Sequence, residues 1–198
     1  MTTVAAHHDA HHTSSDDTDL FGFWIYILSD CILFACLFAT FAALHNNIYT
    51  GPSLKGISDL NYVFIETLAL LVSSFTYGLT MMSTYQHKLK SALMWLSVTG
   101  IFGLLFISME LNEFINLAND GMTWQTSAAF SAFYTLVGTH GLHVSIGLLW
   151  MGVLFFQLLK DGFTKNIQRR LTYLGIFWAF LDIIWIFVFT TVYLIGAA

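Results

Sequence analysis

From Ala128 to Leu159 the chain carries no Asp, Glu, Lys or Arg. A run that long leaves nothing with which a soluble globule could clothe it, because a hydrocarbon core takes about 20 apolar residues to cross. Four further segments are long enough to do the same, near Phe21–Leu44, Tyr62–Tyr85, Ala92–Asn112 and Leu171–Gly196. The third can run on to Ala118 as an interfacial extension, and the fourth must tilt or protrude from one face. Composition agrees: 57% of residues are hydrophobic and 10% charged, where soluble domains carry about 25% charged residues. The expected fold is all-α: an integral membrane protein of five transmembrane helices in a bundle.

Ahead of the first span lies MTTVAAHHDAHHTSSDDTD, which lacks Lys and Arg and is followed by no small-residue cleavage site, so it does not read as a cleavable signal. Its composition predicts a disordered, His-rich tail over residues 1–20, with the membrane domain at 21–198. HHDAHH could bind a transition metal weakly, but a solvated tail would not fix the ligands. Cys31 and Cys36 lie five residues apart on one helix, on different faces, which excludes a disulfide between them.

Orientation follows from Lys and Arg. The side bearing the N-terminus also receives Lys88, Lys90, Lys160, Lys165, Arg169 and Arg170, and the opposite side receives Lys55 alone. That distribution predicts a cytoplasmic N-terminus and a periplasmic C-terminus. The only proline, Pro52, is in a connecting segment, and no pair of interrupted helices is visible, which counts against a secondary transporter.

Ionisable side chains inside a membrane are expensive and need an explanation. They are Asp30, Glu66, Glu110, Glu113, His140, His143 and Asp182. With a rise of about 1.5 Å per residue, Asp30 and Asp182 fall roughly 14–17 Å from the cytoplasmic ends of their spans, and Glu66, Glu110, His140 and His143 roughly 24–29 Å. The polar groups thus form two layers. Histidine–carboxylate hydrogen bonds are a natural expectation for the outer one. In the inner one, desolvation without a cationic partner favours the neutral form of a carboxyl, which leaves Asp30 open to a structural or a proton-holding role.

A haem held between two histidines fails on geometry, since His140 and His143 share one turn of one helix, and His45 and His87 lie at opposite ends of their spans. A zinc or copper site would want a third clustered His or Cys, and the paired Glu-x-x-His motifs of di-iron bundles are absent. No catalytic, cofactor-binding or metal-binding residue is therefore expected in this chain. Packing is the favoured role of the histidine pair, with a proton relay as the alternative.

Helical angles point the same way. His140, His143 and Gly147 share one face, and Gly138, Gly141, Ser145 and Gly152 nearly the opposite one. Small residues at such spacing let a neighbouring backbone approach, so the fourth helix is expected at the centre of the bundle. In the last helix Trp178, Asp182 and Trp185 share a face, which would offer indole N–H groups to the carboxylate. In the first, Tyr26 lies one turn before Asp30.

The blocks FGFWIYILSDCILF, IETLALLVSSFTYG, ISMELNEF, GTHGLHVSIG and FWAFLDIIWIFVFTTVYLIG succeed one another in this order. Together, from Phe21 to Gly196, they resemble subunit III of the haem–copper respiratory oxidases, and the five-span length resembles the bacterial quinol oxidase branch. The resemblance implies an accessory, non-redox subunit of a proton-pumping terminal oxidase of the bacterial inner membrane, which oxidises ubiquinol and reduces dioxygen to water. It implies haem and copper in the partner subunit I, contact mainly with subunit I alongside subunits II and IV, bound phospholipid, and support of proton uptake. By position Asp30 matches the family's buried first-layer carboxylate, Glu110 and Glu113 its E-x-x-E, His140 and His143 its paired histidines, and Asp182 its last-helix acid. One departure is plain: the family usually reads W-H-F in that helix, and here Ala179 follows Trp178.

Other readings are a cytochrome c oxidase subunit III, a proton or solute channel, and a haem-bearing membrane anchor. The channel suffers from a gap of about 10 Å between its polar layers. The anchor lacks opposed ligands.

Overall fold

The computed structural model describes residues 3–45 and 60–195, and among them there is no strand. Five α-helices occur in order: α1 Thr3–Leu44, α2 Leu60–Tyr85, α3 Leu89–Asn119, α4 Ala128–Asp161 and α5 Lys165–Val188. α5 passes without a break into a π-helical segment, Phe189–Ile195. Each helix contains a stretch long and apolar enough to cross a membrane: Thr18–Leu44, Asn61–Tyr85, Leu89–Asn119, Ala128–Asp161 and Lys165–Tyr193. Helices are the form such segments must take, because a helix satisfies its own N–H and C=O groups where no water is present to do so.

Several boundaries differ from those expected. α1 begins at Thr3, so the helix that carries the first span starts within the polar segment. The physical reason is that extending a helix already nucleated by the apolar segment is far easier than starting one. α3 runs from Leu89 to Asn119, so the interfacial extension belongs to the helix proper. α5 starts at Lys165, six residues before the expected Leu171, and takes the cluster of cations into its first turns. Local chemistry explains the change: Gly162 ends α4 at φ 65°, and the Thr164 hydroxyl caps α5 by accepting from the Ile167 N–H at 3.3 Å. Ser127 caps α4 in the same way through Phe130 N–H. Pro52, Lys55 and Gly196 lie outside the described residues.

The chain divides into two compact units, Met1–Cys36 and Leu37–Ala198. The first is the greater part of α1. In the second, α2 packs on α3, α3 on α4, α4 on α5, and α5 back on α2, which closes a four-cornered ring of consecutive helices. Within this unit α4 is thus a corner between α3 and α5. Its two small-residue faces are both used, because Gly141 meets α3 while Gly147 meets the Trp178 ring of α5.

The ring is held by close packing and by hydroxyl and indole groups facing inward. Trp178 donates from Nε1 to Ser73 Oγ and Trp185 from Nε1 to Thr67 Oγ1, both at 3.0 Å, tying α5 to α2. Tyr77 donates to the Leu171 carbonyl at 2.6 Å. The Tyr77 ring also lies where a side chain at Gly175 would begin, a Cβ there standing 2.7 Å from its Cε1. Thr76 and Thr99 share a hydrogen bond at 2.8 Å between α2 and α3. Interhelical bonds of this kind contribute about 0.5–2 kcal/mol each.

Candidate functional site

The outer polar layer gathers groups from every corner of the ring. α2 supplies Glu66, fully buried, and α3 supplies Glu110 and Glu113, at 3% and 5% exposure. The three carboxyls lie close enough to interact electrostatically with one another. The π-helical segment supplies Tyr193, whose hydroxyl donates to both oxygens of Glu113 at 3.2 and 3.1 Å. A π-turn carries an extra residue per hydrogen-bonded loop and so re-aims the side chains beyond it. Here Thr190 and Thr191 open the segment by bonding back to the Ile186 and Phe187 carbonyls, a competition with the helix ladder that hydroxyl side chains commonly set up.

His140 is wholly buried at the centre of this layer and held by aromatic rings. Phe106 meets it edge-on with centroids 5.9 Å apart, and Trp185 lies tilted over it at 5.1 Å. Phe106 and Trp185 themselves meet at 4.6 Å and 87°. His143, one turn on, turns back along its own helix and lies 2.8 Å from the Thr139 carbonyl through Nδ1. A carbonyl only accepts, so this nitrogen carries the proton. His140 thus sits in a ring clamp, and His143 has a backbone partner. Depth put acids and imidazoles in one layer, and helix rotation set the rings of Phe106 and Trp185 against His140.

Among the described residues no group of three or more His, Cys, Asp or Glu is disposed to hold a metal ion.

Glu110 marks a second feature. Its carboxyl fills the space that Gly141 leaves and lines a recess of about 240 Å³ between α3 and α4, with Phe114, Gly138, Leu142 and Ser145. A second, more apolar recess of about 260 Å³ lies between the same helices, lined by Leu96, Gly100, Leu148, Met151, Gly152 and Phe155. Gly138 and Gly152 therefore open onto grooves, and a side chain at Gly152 would meet nothing within 4 Å. Gly141 does permit a close approach, but of a carboxyl rather than of a backbone.

The inner layer is simpler. Asp30 is buried and interacts with Tyr26, one turn earlier on α1. Asp182 is buried on α5 and interacts with Ser74 of α2. The indole N–H groups of Trp178 and Trp185 do not serve Asp182 as expected; they reach Ser73 and Thr67, because those hydroxyls lie on the α2 face that α5 packs against. Cys31 and Cys36 are exposed and form no disulfide with each other.

Three participants were missed in the sequence: Tyr193, and the α2 hydroxyls Thr67 and Ser73. The hydroxyls had a legible signal. Ser73, Thr76, Thr80, Ser83 and Thr84 recur at helical spacing along one buried stripe of α2, while Thr67, also buried, lies about 120° round the helix from Ser73. Tyr193 had none, since the π-turn that aims it is invisible in periodicity.

Comparison with known proteins places this geometry in a family. Residues 1–197 match the model of the family described as cytochrome c oxidase subunit III. The cytochrome bo(3) ubiquinol oxidase subunit 3 of Pseudomonas aeruginosa is 51% identical over 194 residues, covering 98% of this chain and 92% of that protein. The protein of the same name from Buchnera aphidicola is 41% identical over 196 residues, 99% of this chain and 96% of that one. Quinol oxidase subunit 3 of Bacillus subtilis is 39% identical over 178 residues, 90% and 87% of the respective chains.

Proposed function

The chain belongs to the cytochrome c oxidase subunit III family, and from that membership we propose that it is the accessory, non-redox subunit of a terminal quinol oxidase. It is a multi-pass membrane protein; the bacterial cytoplasmic membrane, with the N-terminus inside, is the setting that its Lys and Arg distribution and its relatives support. In this reading ubiquinol oxidation and dioxygen reduction take place on haem and copper in subunit I. This chain packs against subunit I, alongside subunits II and IV, and keeps the catalytic subunit stable and supplied with protons.

One observation carries the reading. Of the histidine pair that could have been ligands, His140 is enclosed by Phe106 and Trp185, which supports a packing role. The family match over residues 1–197 then supplies the assembly that such a scaffold would serve. Relatives named as quinol oxidase subunits favour quinol over cytochrome c as the donor. The apolar groove between α3 and α4 supports bound phospholipid, since acyl chains are its natural filling in a bilayer. Asp30 and Asp182 serve as buried structural acids, with Asp30 also able to hold a proton.

Two measurements test this. The chain purified alone should show no haem absorption. Removal of the chain from the intact oxidase should leave haem spectra unchanged, while sustained turnover and thermal stability decline. Haem bands travelling with the isolated chain, or a stripped enzyme that has lost its haem, would overturn the assignment.

A further inference from the structure

The recess that Glu110 lines between α3 and α4 has an acid and no base. Glu110 is 3% exposed, and its Oε2 has no hydrogen-bond partner among the described residues. Both carboxyl oxygens of Glu66, which interacts electrostatically with Glu110, are likewise buried and without such a partner. A buried carboxyl left without a donor is costly. The described cations are too far away to supply one, since they gather at the starts of α3 and α5 and the end of α4. Lys90, on the same helix as Glu110, is about 30 Å from it at a rise of about 1.5 Å per residue. Lys55 lies outside the described residues. The walls suit a long side chain. Leu111, Phe114 and Leu142 are apolar, and Gly138, Gly141 and Ser145 are small. A methylene stem can lie against the first set, and a neighbouring backbone can approach the second.

We propose that this recess receives a Lys or Arg side chain from a transmembrane helix of a neighbouring oxidase subunit, whose ammonium or guanidinium group donates to the Glu110 carboxyl. Ionisable residues within membrane spans pair with one another. Glu66 and Glu113 lie within electrostatic reach of Glu110, which sharpens the demand for positive charge. The inference rests on the oxidase reading, because it needs a neighbouring subunit. Beyond that reading, it assigns the α3–α4 face as the surface of contact. A lipid amine offers the same donor, but it carries its phosphate with it into the field of these acids. The other recess between the same helices has no carboxyl in its wall and keeps its apolar filling.

The test uses the assembled oxidase, with a photoreactive benzophenone side chain in place of Leu142, which lines the recess and is 60% exposed. Irradiation should yield an adduct with another subunit, on a transmembrane segment that carries Lys or Arg within one turn of the attachment point. Glu110→Gln keeps the shape of the side chain and removes its charge. It should lower the adduct yield, per copy of this chain retained, about threefold to tenfold, the gap between a charged and a neutral acceptor. An adduct with lipid alone, with this chain's own residues 46–59, or with a segment lacking Lys and Arg would overturn the proposal. So would a yield that Glu110→Gln leaves unchanged. A chain that does not purify with the haem-bearing subunits overturns the oxidase reading itself, so the two failures are told apart.

Discussion

The carboxyl of Glu110 on α3 lies against the backbone of Gly141 on α4: a Cβ at residue 141 would stand 2.6 Å from Oε1 and 2.8 Å from Oε2. The glycine is thus the counterpart of a buried acid. Gly141→Ala forces the Glu110 side chain to move and should lower stability by about 1–3 kcal/mol, the usual range for overpacking. Gly141→Leu should prevent stable assembly, whereas Ser145→Ala removes only a bond to its own helix and should be mild. Thermal denaturation and retention of the subunit in the purified complex measure both. In a Glu110→Ala background the alanine at 141 should add little further loss; a full additive loss would show that the two residues do not meet.

His140→Phe should keep haem spectra intact, since the ring is a packing element between Phe106 and Trp185. The expected effect is weaker retention of the subunit. Loss of a bound metal on this substitution would contradict the clamp.

Tyr193→Phe deletes the hydroxyl that serves both oxygens of Glu113. Taking a hydrogen-bond donor away from a buried carboxyl costs about 1–3 kcal/mol, so the variant should melt lower. Glu113→Gln can still accept from the Tyr193 hydroxyl and should be better tolerated. Equal losses in the two variants would argue against this bond.

Tyr77→Phe removes the α2–α5 hydrogen bond to the Leu171 carbonyl but keeps the ring over Gly175. Its expected loss is about 0.5–2 kcal/mol. Gly175→Ala should cost more, because the Tyr77 ring stands where the methyl would go and is itself pinned at its hydroxyl. A reversed order in denaturation midpoints would mean that the ring is free to shift.

Much of the architecture was readable in the primary structure. The apolar segments announced five spans, and their ends shifted where a cap decided them, as at Gly162 and Thr164, or where the helix ran on into its polar flank, as at Asn119. The buried acids and histidines were identified by type and depth, and all of Asp30, Glu66, Glu110, Glu113, His140 and Asp182 are buried. Apart from Tyr26 beside Asp30, their partners were not readable. The indoles of Trp178 and Trp185 were expected at Asp182 and instead reach Ser73 and Thr67.

Chain composition alone determined that these segments become helices in lipid, because each helix closes its own backbone hydrogen bonds and needs nothing from its neighbours. Tertiary structure decided who touches whom: Glu110 with Gly141, Tyr193 with Glu113, His140 with two aromatic rings. Groups at the same depth have several candidate partners of similar chemistry. The choice among them rests on how each helix is turned about its own axis, which only the packing of all four corners settles.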